Sequence, residues 1–178
     1  MNIPDRVGDQ RRVGVAIEVP PPFGAELQHA RKRFGDPLAE LIPPHITLLG
    51  PTILEPQDVE TVDAHLARIA ASASPFVVHL RSSATFRPVS PVVFVQVAQG
   101  IAECEELERQ VRSGPLEQPL RFNYHPHVTV AHEVPDAALD VAFEEMADYE
   151  ASFEVDAISL YEHGDDNVWR SVRTFPLG

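Results

Sequence analysis

The chain has 178 residues, 44% of them hydrophobic, enough for one packed domain or two small lobes sharing a core. Its formal net charge is −13 and uneven: residues 1–89 hold nine Lys/Arg and ten Asp/Glu, residues 90–178 five and seventeen, a field that repels long nucleic acid and favours a small substrate or an RNA end. The single cysteine, Cys104, excludes an intrachain disulfide, and the charged first dozen residues and the lack of a long apolar run predict a cytoplasmic protein without membrane contact.

Val13, Val15, Ile17 and Val19 alternate with small or polar residues and predict a strand that Pro20-Pro21-Pro22 ends. Phe23, Leu27, Ala30 and Phe34 recur at helical spacing. The basic run Arg31-Lys32-Arg33 closes that helix, where cations suit the dipole. Pro43-Pro44 leads into His45-Ile46-Thr47-Leu48, a strand expected to stop at Gly50-Pro51. Val59, Val62, Leu66 and Ile69 mark a second helix. A strand follows through Phe76, Val78 and Leu80 toward Phe86.

Residues 92–97 are almost wholly apolar and predict a central, covered strand. Ile101, Cys104, Leu107 and Val111 mark a third helix, broken by Gly114-Pro115 and Pro119. Residues 127–131 form the next strand. Pro135-Asp136 opens a fourth helix with Leu139, Ala142, Phe143 and Met146 facing inward. Residues 152–161 and 167–175 are expected to close the chain as a hairpin, turned at Gly164-Asp165-Asp166-Asn167.

Two segments repeat in residue detail. Pro44-His45-Ile46-Thr47-Leu48 and Pro126-His127-Val128-Thr129-Val130 each read Pro-His, apolar, Thr, apolar, with their histidines 82 residues apart. In a strand, residues i and i+2 share a face. His45 and Thr47 therefore point one way while Ile46 and Leu48 point into a core, and His127 and Thr129 repeat the arrangement. Strands starting near Val13 and Val92 lie 79 apart, a similar offset. The pattern predicts two similar lobes, an approximate pseudo-twofold duplication that would bring the two motifs together across a central cleft. Residues 1–178 then form a single two-lobed domain, with 1–11 as a tail and 12–90 and 91–175 as approximate repeats.

A pair of His-x-Thr motifs at this spacing, each after a proline, resembles the two-histidine (2H) phosphoesterase superfamily, in its bacterial 2′-5′ RNA ligase/cyclic phosphodiesterase branch. The resemblance runs from Val13 to Phe175 and implies an α+β fold, a bilobal pseudo-twofold duplication with two mainly antiparallel sheets lining a central cleft and helices on the outside. It implies metal-independent chemistry on 2′,3′-cyclic phosphates or related phosphodiesters, with 2′-5′ RNA ligase-like activity as a further expectation. By motif match, His45 and His127 take the histidine positions and Thr47 and Thr129 the hydroxyl positions. Many members carry Arg three residues after the second Thr. Here that residue is His132, a cation only when protonated.

Hydrolysis of a cyclic phosphate needs a base for water and an acid for the leaving oxygen. Imidazoles titrating near pH ~6.5 serve both roles, and hydroxyls can hold the non-bridging oxygens. His45 and His127 are thus the candidate catalytic pair, either one the base. Thr47, Thr129 and His132 are the candidate substrate-binding residues. On a regular strand His132 would face away from Thr129 and would need a bulge to reach the cleft.

His125-Pro126-His127 also admits a zinc reading with His132 or His45, but the first motif has no such pair, so no metal is expected. No P-loop or dinucleotide fingerprint occurs, so no cofactor is expected either. Tyr124 and Phe122 read mainly as packing residues. The expected partner is a small nucleotide or RNA terminus bound to a monomer. The alternative is a non-catalytic nucleotide or RNA-end binding module on the same fold.

Overall fold

The computed structural model describes residues 3–178, so residues 1 and 2 of the expected tail lie outside it. Among the described residues, eight strands and four α-helices follow one another along the chain. The first half runs β1 (Arg11–Glu18), α1 (Phe23–Arg33), β2 (His45–Leu54), α2 (Val59–Ser72) and β3 (Phe76–Thr85). The second runs β4 (Val92–Gln99), α3 (Ile101–Val111), β5 (His127–His132), α4 (Asp136–Glu145), β6 (Glu150–Val155), β7 (Ala157–His163) and β8 (Trp169–Pro176).

The strands form two four-stranded antiparallel sheets, ordered β2-β1-β7-β8 and β5-β4-β3-β6. The bilobal α+β architecture is therefore present. Its two motif strands, β2 and β5, are the sheet edges that meet at the centre of the molecule. The halves of the sequence exchange parts between the lobes. β3 completes the second sheet beside β4, and β7-β8 complete the first beside β1. Two helices cross over as well: α3 packs on β2 and α1 on β5, while α2 stays on the first sheet against β8 and α4 on the second against β4 and β5.

One continuous core lies between sheets and helices. Val13, Val15 and Ile17 of β1, Ile46 and Leu48 of β2, and Val128 and Val130 of β5 are all at most 2% exposed. These are the alternate positions predicted to point inward, so the period-two pattern fixes which face carries the histidines.

Three expectations change. β2 does not stop at Gly50-Pro51 but pairs with β1 as far as Leu54↔Arg11. The run 152–161 is not one strand: it divides at Asp156, with β6 in the second sheet and β7 in the first, and the closing hairpin is β7-β8. Phe143 is 39% exposed rather than inward, leaving Leu139, Ala142 and Met146 as the packed side of α4. Among the described residues no helix is long and apolar enough to cross a membrane.

Candidate active site

The two motifs are built alike down to their hydrogen bonds. His45 Nδ1 donates to the Pro43 carbonyl at 2.7 Å, and His127 Nδ1 donates to the His125 carbonyl at 2.7 Å. A carbonyl can only accept, so each ring carries its proton on Nδ1. When neutral, each imidazole therefore leaves Nε2 as the free lone pair. In both motifs a proline separates the carbonyl from the histidine. Its fixed φ restricts where the preceding carbonyl can point.

Both rings keep part of their surface open while protein surrounds the rest. Burial is the first cause that pushes the His45 pKa down, and nearby Arg31 adds to it against the opposing Pro43 bond. Burial also drives His127 down, to about 4, and the charges of His45 and His125 push the same way. The two imidazoles are thus close enough to feel each other's charge.

The packing around the rings differs between lobes. Phe86 and Phe94 lie 4.3 Å apart, and each ring centroid sits 5.0 Å from that of His127. The same pair contacts His125, whose ring lies 6.4 Å from His127 and nearly parallel to it. His125 is therefore packed against the aromatic pair that holds His127. Among the described residues no three His, Cys, Asp or Glu side chains converge as a metal set.

Thr47 stands opposite Ala16 and Thr129 opposite Phe94, each on the face of its own histidine. After each threonine the register slips by one residue. Val15↔Leu49 follows Ala16↔Thr47, and Val93↔Ala131 follows Phe94↔Thr129. Leu48 and Val130 are thus the extra residues of matching β-bulges. The bulge is the irregularity that His132 was expected to need in order to leave the opposite face. It puts Ala131, fully buried, on the core face and returns His132, opposite Val92, to the face of Thr129. Burial lowers the His132 pKa too.

Contacts across the lobes fix the strands relative to each other. Tyr124 Oη donates to the Thr47 carbonyl at 2.8 Å, so this residue ties one motif strand to the approach of the other. Asp36 accepts three bonds: from Arg31 Nε at 2.7 Å, from the His132 backbone N–H at 3.0 Å, and from the Leu38 N–H at 2.8 Å. Both members of the Arg31–Asp36 pair are buried. The sequence reading missed this group. Arg31 lies in the last turn of α1 as expected but is buried, and Asp36 holds a backbone N–H 96 residues away, a link that no local pattern carries.

Residues 19–167 match the family description of the 2′-5′ RNA ligase superfamily. The chain belongs to that superfamily, the two-histidine (2H) phosphoesterases. It is 31% identical over 150 residues to a protein of Bacillus cytotoxicus, covering 83% of this chain and 86% of the relative. A Halalkalibacterium halodurans protein is 30% identical over 93% of this chain and 96% of its own length. Both are named "putative phosphoesterase". Apo LigT of E. coli superposes with a TM-score of 0.67 at 18% identity, over 96% of this chain and 99% of LigT. The Thermus thermophilus protein TT0787 follows at 0.58 and 23%, over 93% and 97%. These two likenesses show the fold.

Proposed function

We propose that this chain is a metal-independent phosphodiesterase acting on 2′,3′-cyclic phosphate termini or small nucleotide-derived cyclic phosphates. The observation that carries the reading is the doubled device: two His-x-Thr edge strands, each imidazole locked by its Nδ1 and free at Nε2. One neutral imidazole takes a proton from water, whose oxygen attacks phosphorus. As that bond forms, the bond from phosphorus to one ribose oxygen breaks, and the second imidazole, protonated, gives its proton to that oxygen. The product is a phosphomonoester beside a free hydroxyl. The histidines have exchanged protonation states and reset through solvent.

In this reading Thr47 and Thr129 serve as donors to the non-bridging oxygens. His132, on the Thr129 face, adds a third contact that is charged only when protonated. A nucleoside 5′-hydroxyl in place of water would take the same steps in the same direction, its oxygen bonding phosphorus as the bond to the 3′ oxygen breaks, and would leave a 2′-5′ linkage. The fold likeness includes E. coli LigT with bound phosphate and with 3′-AMP. Those ligands belong to LigT, and they are of the class proposed here.

His45→Ala and His127→Ala are each expected to lower turnover of 2′,3′-cyclic nucleotides by about 10²–10⁴-fold with the fold intact. Wild-type turnover in either single variant would remove the assignment. The second reading is a binding module, and the depressed pKa values of both imidazoles favour it, because neither is a ready acid at neutral pH. Saturable binding of a cyclic nucleotide with no monoester product would select it.

A further inference from the structure

The groups that the two motifs offer to a phosphate are hydroxyls and imidazoles, and burial lowers the pKa of His45, His127 and His132 alike. None of them is a cation above neutral pH. A cation comes instead from outside both motifs. Arg31, in the last turn of α1, is 3% exposed. Its Nε donates to Asp36 Oδ2 at 2.7 Å, and the same oxygen accepts the His132 backbone N–H at 3.0 Å. The guanidinium is thus one shared oxygen away from the backbone of β5. That strand pairs only with β4, so its other edge is the one that meets β2. Arg31 therefore reaches the seam between the two motif strands. Its charge is felt on both sides: after burial, it adds to the lowering of His45 on β2 and of His132 on β5.

A guanidinium carries five N–H donors. Asp36 takes one of them, through Nε, and turns its second oxygen to the Leu38 N–H. A self-contained ion pair would instead match the arginine fork to both carboxylate oxygens. Among the described residues no protein atom accepts from either Nη. Neither Nη is sealed, since Trp169 Nε1 is the one enclosed side-chain polar atom there without a partner. Four donors of a nearly buried cation are left open, in the fork geometry that suits an oxyanion.

We propose that Arg31 is the permanent cation of the phosphate site, its Nη groups donating to a non-bridging oxygen of the phosphate that His45 and His127 flank. The proposal rests on the phosphodiester reading for its ligand, and it adds a binding residue that neither motif contains. Asp36 is then a positioning residue: it fixes Nε and, through the His132 N–H, ties the cation to the strand of Thr129. The other titratable groups around this seam are His45, His132 and the neighbouring Glu133. With Arg31 in place, the cleft holds an anion even where every imidazole is neutral.

Sulfate keeps its charge from acid to alkaline pH and does not turn over, so it reads the site apart from catalysis. Followed by NMR of the His45 and His127 rings, it is expected to bind the wild-type protein saturably at about pH 8, where imidazoles are neutral. The double variant Arg31→Met, Asp36→Asn removes both charges and keeps an acceptor for the His132 N–H. Its sulfate affinity at about pH 8 should fall about 10–100-fold, the worth of a hydrogen bond between charged groups. It should recover toward about pH 5 as the imidazoles gain protons, which damage to the fold would not do. His132→Arg, added to that variant, puts a permanent cation on the Thr129 face and should regain most of the loss. Sulfate bound at about pH 8 without turnover of any cyclic nucleotide would keep the Arg31 site and remove the catalytic reading. Wild-type affinity at that pH in the folded double variant would overturn the proposal. So would the absence of saturable binding by the wild type there, a result that needs no variant to fold.

Discussion

His45 and His127 each depend on one donated bond and on burial, and the two act in opposite senses. The bond to the carbonyl favours the protonated ring, burial the neutral one, and burial is the larger cause at both positions. The free enzyme at neutral pH therefore holds two neutral imidazoles. A base works when unprotonated, so its limb of the profile rises through its pKa; an acid works when protonated, so its limb falls through its pKa. With His127 at about 4 and His45 below its ordinary value of about 6.5, kcat/KM should peak on the acid side of neutrality and fall as pH rises from about 6.5 to 8. The sign holds whichever ring is the base. A profile of kcat/KM on a cyclic nucleotide that stays flat to pH 8 would contradict it. Much of this site was legible in the residues, because period-two alternation assigns His45, Thr47, His127 and Thr129 to one face each. Phe94 was legible only as core, since nothing in an apolar run tells which of its members leans on the His127 ring.

At the scale of elements, the site is two sheet edges held in register from behind. The Arg31–Asp36 pair links α1 and the segment after it to the backbone of His132, and it does so buried. Removing one partner of a buried pair strands the other charge and costs about 3–5 kcal/mol. Asp36→Ala is therefore expected to lower the melting temperature by about 6–20 °C for a chain of this size. It should also reduce kcat more than a surface substitution such as Glu154→Ala, because β5 loses its tether. Melting curves and steady-state rates on the two variants check this, and an Asp36→Ala protein that melts with the wild type would show the pair to be dispensable. Neither the pair nor the strand exchange could be read locally. The division at Asp156 did leave a trace: the members of the main core change parity there, from Phe153 and Val155 to Ile158 and Leu160. That phase slip marks the passage from one sheet to the other. The bulges at Leu48 and Val130 leave no such mark, since apolar residues simply continue on both sides of them.

On the scale of the whole molecule, a cleft proposed to take phosphate sits in a protein of net charge −13. Local groups do the binding, and the overall field works against polyanions. The field is screened within about 10 Å at 0.1 M salt, whereas hydrogen bonds from threonine and histidine at the cleft persist. A mononucleotide brings few charges into that field, and an oligonucleotide brings one more with every phosphate. The KM of an RNA oligomer of about ten nucleotides ending in a 2′,3′-cyclic phosphate should therefore exceed that of the mononucleotide at about 20 mM salt. The gap should narrow as salt rises to about 300 mM. This is opposite to the usual behaviour of nucleic-acid-binding proteins, where added salt weakens binding through counterion uptake. Initial rates over a salt series with both substrates measure it directly. An oligomer KM that climbs with salt while the mononucleotide KM stays level would mean that a basic track along the cleft outweighs the acidic surface.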